Sequence, residues 1–190
     1  MTRPDHGICF AGDGTEDLFL SLVPRAKSMP RCDPRGDACI EVDGQLAYVE
    51  VKRASHATGA KQVRAIKFIP LVVWTESRGD RPWAVLSAVE VTKLILRRHR
   101  GLHTELPLEC SLIPPKSIGR RFWHPGADLQ DAVIEAVRES RRYPTLATEM
   151  ARLLTEIRSL RDGHASAVLR AMRSDDPAFQ YQLALGEEPC

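Results

Sequence analysis

A chain of 190 residues that is 43% apolar, with 27 basic side chains against 25 acidic ones, has the composition of an ordinary globular protein and can bury one substantial core. No apolar run is long enough to cross a bilayer, and Met1 to Gly14 lacks the basic start and apolar stretch of a secretory signal. Five scattered cysteines (Cys9, Cys32, Cys39, Cys110 and Cys190), with no pair at zinc-ligand spacing, set aside a disulfide scaffold or zinc site and lead us to expect free thiols in the cytoplasm.

The first element expected is a helix over Leu18 to Val23, with Thr15 as its cap and Pro24 as its limit. A loop rich in proline and basic residues follows from Arg25 to Arg35. Residues 36–52 then read as two short strands joined at Asp43-Gly44, a pair that tolerates positive φ at both central positions of a tight turn. In the first strand Asp37, Cys39 and Glu41 point one way. In the second, Tyr48, Glu50 and Lys52 share a face opposite Val49 and Val51.

Beyond the hairpin the pattern predicts a helix over Ala57 to Phe68 and a buried strand from Ile69 to Trp74 with Pro70 near its beginning. A polar turn covers Ser77 to Pro82, a strand Trp83 to Leu86, and Ser87-Ala88-Val89-Glu90 is a capping box opening a helix that runs to about His99. Leu102 to Trp123 reads as irregular and ends in a basic aromatic knot around Arg120, Arg121, Phe122 and Trp123. Amphipathic helices are expected over Asp128 to Arg142 and Leu146 to Arg161, the second with a stripe of Leu146, Met150, Leu153, Leu154, Ile157 and Leu160. A further helix covers His164 to Met172, and the tail after Asp175 looks weakly structured. The expected fold is α/β, a mixed sheet flanked by helices, divided as 1–124 core, 125–175 helical extension and 176–190 tail.

Folding the hairpin brings Asp37 close to Glu50, with Lys52 beside it. Two carboxylates on neighbouring strands repel unless a cation lies between them, and hard oxygen ligands with open water positions suit Mg²⁺ or Mn²⁺. A lysine adjacent to such an ion is placed to orient or deprotonate an attacking water. A divalent ion that lowers the pKa of bound water and offsets charge on a pentacovalent phosphate supports phosphodiester cleavage.

Asp37 followed by Glu50-Val51-Lys52 resembles the PD-(D/E)xK nuclease superfamily, which includes restriction endonucleases, Holliday-junction resolvases and TnsA-like transposon endonucleases. The resemblance implies a restriction-endonuclease-like core over about Gly7 to Arg100. It also implies Asp37 and Glu50 as metal ligands with the Val51 backbone carbonyl, and Lys52 as the group that assists the nucleophile. Resolvase-like members carry a further glutamate on an upstream helix, which Glu16 matches, with Asp17 as a rival. The family's proline before the aspartate is replaced by Gly36, with Pro34 three residues before Asp37. Double-strand cutting requires two such sites, so a homodimer or a partner subunit is expected.

Charge is distributed to suit a nucleic-acid substrate. Through Glu50 there are five basic and nine acidic residues, whereas Val51 to Arg81 has seven basic and two acidic and Lys93 to His124 repeats that excess. Arg53, His56, Lys61, Gln62, Arg120 and Arg121 are the candidate DNA contacts. Each has an ordinary alternative as a solvated surface residue, and the aromatic knot has one as a strand packed on the core. Two other functions compete: a nuclease-fold protein that binds nucleic acid without cutting, and a helical module that recruits a partner.

Overall fold

A computed structural model describes residues 14–31, 33–54, 59–99, 108–155 and 164–176. In chain order these form α1 (Thr15–Leu22), β1 (Ala26–Ser28), β2 (Ala38–Val42), β3 (Gln45–Arg53), β4 (Ala60–Arg64), β5 (Leu71–Trp74), β6 (Trp83–Leu86), α2 (Ala88–His99), β7 (Glu109–Ile113), β8 (Trp123–His124), α3 (Leu129–Arg141), α4 (Pro144–Thr155) and α5 (His164–Asp175), with short 3-10 turns between some of them.

The hairpin forms as its turn chemistry dictates. Asp43 and Gly44 adopt φ of 52° and 74°, left-handed at both central positions, and this locks β2 to β3 in a register running from Ala38↔Val49 to Val42↔Gln45. The strand β3 then pairs in parallel with β5 (Glu50↔Leu71), β5 pairs antiparallel with β6, and β8 adds to β6. The result is a mixed six-stranded sheet in the order β1-β2-β3-β5-β6-β8. The fold is therefore α/β.

Each face of this sheet carries its own core. Ile40, Val42, Val49, Val51, Val72 and Val85 meet Phe19 and Val23 from the α1 side and Leu129, Val133 and Val137 of α3. On the opposite face, Leu71, Val73 and Leu86 meet Ile95 of α2, Leu146, Met150 and Leu153 of α4, and Val168 and Met172 of α5. The expected α4 stripe is thus a core face as far as Leu153; Ile157 and Leu160 lie outside the described residues. Among the described residues no helix is long and apolar enough to cross a membrane.

Four expectations are corrected. First, where a helix is expected over Ala57 to Phe68, the described residues form the strand β4 followed by a 3-10 turn, Ala65–Lys67. Its buried Ala60 and Val63 stand three apart, the spacing that mimics a helix, because Gln62 takes a left-handed φ of 52° and leaves two exposed residues between them. The segment is held as a strand by β7, with which it forms a separate two-stranded sheet (Ala60↔Ile113, Arg64↔Glu109). Second, the supposedly irregular stretch Leu102 to Trp123 therefore contains β7 and the start of β8.

Third, the loop Arg25 to Arg35 contains the edge strand β1, paired with β2 through Ala26↔Ile40 to Ser28↔Ala38. Only three residues long, it carries no periodicity to read. Fourth, the cap of α1 is Gly14, at φ 80°, whereas Thr15 is buried in the first turn. The capping expectation at α2 holds in its leading half: Ser87 Oγ accepts from the Glu90 amide at 3.3 Å.

Candidate functional site

The strand alternation that sends Val49 and Val51 into one core turns Glu50 and Lys52 to the other face, at the end of β3 where the 65–70 segment returns toward β5. Asp37 stands just ahead of β2, and its amide donates to the Val49 carbonyl at 3.0 Å. Its side chain reaches across the hairpin. Asp37 Oδ2 accepts from the Val51 amide at 2.8 Å and from Lys52 Nζ at 3.2 Å. The same Lys52 Nζ lies 2.7 Å from Glu50 Oε1, so one ammonium joins both predicted carboxylates.

A second cation closes the other side of Glu50. Lys67, the last residue of the 3-10 turn, places Nζ 2.6 Å from Glu50 Oε2. Burial alone pushes the Glu50 carboxyl up, but the charges of Lys52 and Lys67 outweigh it and hold the group below its usual value of 4.5. Burial likewise opposes the charge on Lys52, and Glu50 and Asp37 overcome it, raising the ammonium above its usual 10.5. Glu50 is 8% exposed. Two carboxylates and two ammonium groups thus form a compact, formally neutral cluster.

Gly36 is needed beside this cluster for close approach. A Cβ there would lie 2.9 Å from the Val49 carbonyl oxygen and 3.3 Å from Ile69 Cδ1. Further along the same loop, Arg35 forks onto Asp33 through Nε and Nη2 at 2.9 and 2.8 Å, donates to the Tyr48 hydroxyl at 3.0 Å, and stacks over that ring. Its bonds hold the Asp33 carboxyl down at about 2.

The remaining predicted residues are spread more widely. Glu16 lies in the first turn of α1, whose buried Phe19 joins the core on the Val49 and Val51 face. Among the described residues no three His, Cys, Asp or Glu side chains form a group fit for a metal, so Glu16 does not gather with Asp37 and Glu50 here. Val51 contributes its amide to Asp37 as described. The Arg53 guanidinium stacks on Trp74 at 5.1 Å and meets Glu76 at 3.0 Å.

Lys61 and Gln62 are exposed on β4 rather than on a helix. Arg120 and Arg121 sit on a 3-10 turn leading into β8, at the far end of the sheet from β1 and with two strands, β5 and β6, between it and β3. Arg121 stacks on Phe122 and lies 3.7 Å from Glu90, while Trp123 is buried and its Nε1 donates to the Ile118 carbonyl at 3.2 Å. Trp123 of the aromatic knot is therefore a core residue. His56 lies outside the described residues. Sequence reasoning missed Lys67, which carries no motif and stands among other basic residues of a segment read as a helix.

Compared with protein-family models, with curated proteins and with solved structures, the chain gives no match.

Proposed function

We propose that this chain is a metal-dependent endonuclease that hydrolyses DNA phosphodiester bonds, with a core resembling the PD-(D/E)xK nucleases. The observation that carries the reading is the meeting of Asp37 and Glu50, thirteen positions apart in sequence, on one lysine Nζ. Three side chains that a nuclease would need together are together, brought there by the register of the β2–β3 hairpin.

The donor set suits a hard cation. Asp37 and Glu50 offer carboxylate oxygens, and the Val51 carbonyl is the third protein ligand that the resemblance implies; with open positions left to water, such a set fits Mg²⁺ or Mn²⁺. When bound, that ion supplies Lewis acidity toward the scissile phosphate and acidifies a coordinated water. The chain's own contribution is positional. The Val51 amide fixes Asp37, the rigid hairpin fixes Glu50 relative to it, and Lys52, once its carboxylates turn to the cation, is free to orient the attacking water and steady charge on the phosphate. Arg53, His56, Lys61 and Gln62 are the residues we assign to the DNA backbone, with Arg120 and Arg121 as a separate basic patch. Glu16, apart from Asp37 and Glu50 in this structure, has no part in this proposal. Cutting both strands calls for a homodimer or a partner subunit.

One observation favours a second reading, a nucleic-acid-binding protein of the same fold that does not cut: Lys52 and Lys67 already neutralise both carboxylates. Incubation with supercoiled plasmid, a four-way junction and single-stranded DNA, each with Mg²⁺ and with EDTA, separates the two. Mg²⁺-dependent scission lost in Asp37→Ala supports the nuclease, and DNA binding with no scission in any arm supports the alternative.

A further inference from the structure

We propose that Lys67 is a built-in competitor for the metal, a positioning residue that keeps the site closed until a divalent cation and a nucleic-acid phosphate arrive together. The inference rests on the endonuclease reading and specifies how its site is controlled.

Three observations carry it. Lys67 Nζ holds Glu50 Oε2 at 2.6 Å while Lys52 Nζ holds Oε1 at 2.7 Å, so both oxygens of the buried ligand are occupied by ammonium groups. The Lys67 side chain is itself only 15% exposed, which keeps water from screening the pair. The turn that presents it is fixed on both sides. Ala65 and Ile66 are buried in the same core as α4, and Phe68 takes a left-handed φ of 48°, a conformation costly for a bulky residue, with its amide closing the turn onto the Ala65 carbonyl at 2.9 Å. Strain of this kind persists only where packing enforces it.

Charge arithmetic gives the consequence. Asp37 and Glu50 against Lys52 and Lys67 sum to zero, so a divalent cation entering alone creates a partly buried excess of two positive charges. A phosphodiester arriving with it removes part of that excess, and more as negative charge develops on the phosphate. Metal and DNA should therefore bind cooperatively, each raising the affinity for the other by the same factor. Lys67, expelled from Glu50, remains beside the cluster and supplies a cation to the incoming phosphate. The site is in this way protected from loading in the absence of substrate.

The test is calorimetric titration of Ca²⁺, a hard dication, into the full chain with and without a short DNA duplex, corrected for Ca²⁺ binding to the duplex alone. Wild type should bind Ca²⁺ weakly by itself and more tightly with DNA. Lys67→Gln should bind Ca²⁺ alone roughly tenfold more tightly, since a positive charge facing the cation has gone, and should gain less from DNA. Lys67→Arg, which keeps the charge, should behave as wild type. Equal or weaker Ca²⁺ binding by Lys67→Gln, or an arginine variant that matches the glutamine one, overturns the proposal while leaving the endonuclease reading intact. If no variant binds Ca²⁺ in either arm, the metal site itself fails and both readings fall. Should Lys67→Gln lose its cooperative melt, Lys67→Met takes its place, and unfolding of both would overturn the proposal by making Lys67 a structural residue.

Discussion

The Val51 amide donates to Asp37 Oδ2 at 2.8 Å across fourteen positions of sequence, so the carboxylate assigned to the metal is also the side chain that ties the start of β2 to the end of β3. Two roles on one residue can be separated by substitution. Asp37→Asn keeps an oxygen that can accept from Val51 but loses the charge, and Asp37→Ala loses both. Asp37→Asn should abolish Mg²⁺-dependent cleavage with little change in melting temperature, whereas Asp37→Ala should also cost about 1–3 kcal/mol, measured by urea denaturation, because a partly buried amide is left without its partner. Equal stability in the two variants would show that the bond to Val51 contributes nothing.

Gly36 sets the approach of Asp37 to β3. A methyl group there would press on the Val49 carbonyl oxygen, a backbone atom that cannot swing aside. Gly36→Ala should destabilise the protein by about 1–3 kcal/mol and displace Asp37, lowering cleavage more than it lowers DNA binding. The same crowding explains why the position before the aspartate is glycine in this chain. Wild-type stability and cleavage in the alanine variant would show that the loop accommodates a side chain at position 36 without moving Asp37.

The hairpin is legible in the sequence because every signal for it is local: Asp43-Gly44 at the turn and strict alternation on both sides. The strands β5 and β6 and the start of α2 are legible for the same reason, as an apolar run with a proline ahead of it, a second run after a polar turn, and a serine cap. The second sheet is not. β4 is a strand only because β7, some fifty residues later, pairs with it, and the left-handed Gln62 spaces its buried residues as a helix would. Lys67 is hidden by the same error, since its approach to Glu50 depends on a turn that local propensity does not encode. At the site, Asp37, Glu50 and Lys52 could be paired from register alone, but the cation on the far side of Glu50 could not.

The helices after Trp123 support the site rather than hang from it. Leu146 and Met150 of α4 are fully buried, and α4 packs against the 3-10 turn that carries Lys67. Leu146→Ala should cost about 2–5 kcal/mol, and a chain ending at Trp123 should lack a cooperative melt, because it strips α3 from one core and α4 and α5 from the other. A cooperative thermal transition in the truncated chain, at or near the wild-type temperature, would contradict this.

Tyr143, between α3 and α4, gives the fold an alkaline limit that can be read directly. Its hydroxyl donates to Asp176 Oδ2, 3.4 Å away beyond the end of α5, and burial first, then the nearby charges of Asp176 and Glu139, push the phenol up from its ordinary 10 to about 12. A phenol that holds its proton more tightly in the folded chain than in the unfolded one contributes stability that is fully present below pH 10. That contribution is lost as pH rises from 10 toward 12, where the unfolded chain has already released the proton. Tyr143→Phe removes the ionisable group, so the difference in unfolding free energy between wild type and variant should be constant from pH 7 to 9 and should shift in the variant's favour above pH 10. Urea denaturation at pH 8, 10 and 11 measures that difference. A gap between the two proteins that stays level across all three would mean that Tyr143 titrates no differently in the folded and unfolded chains.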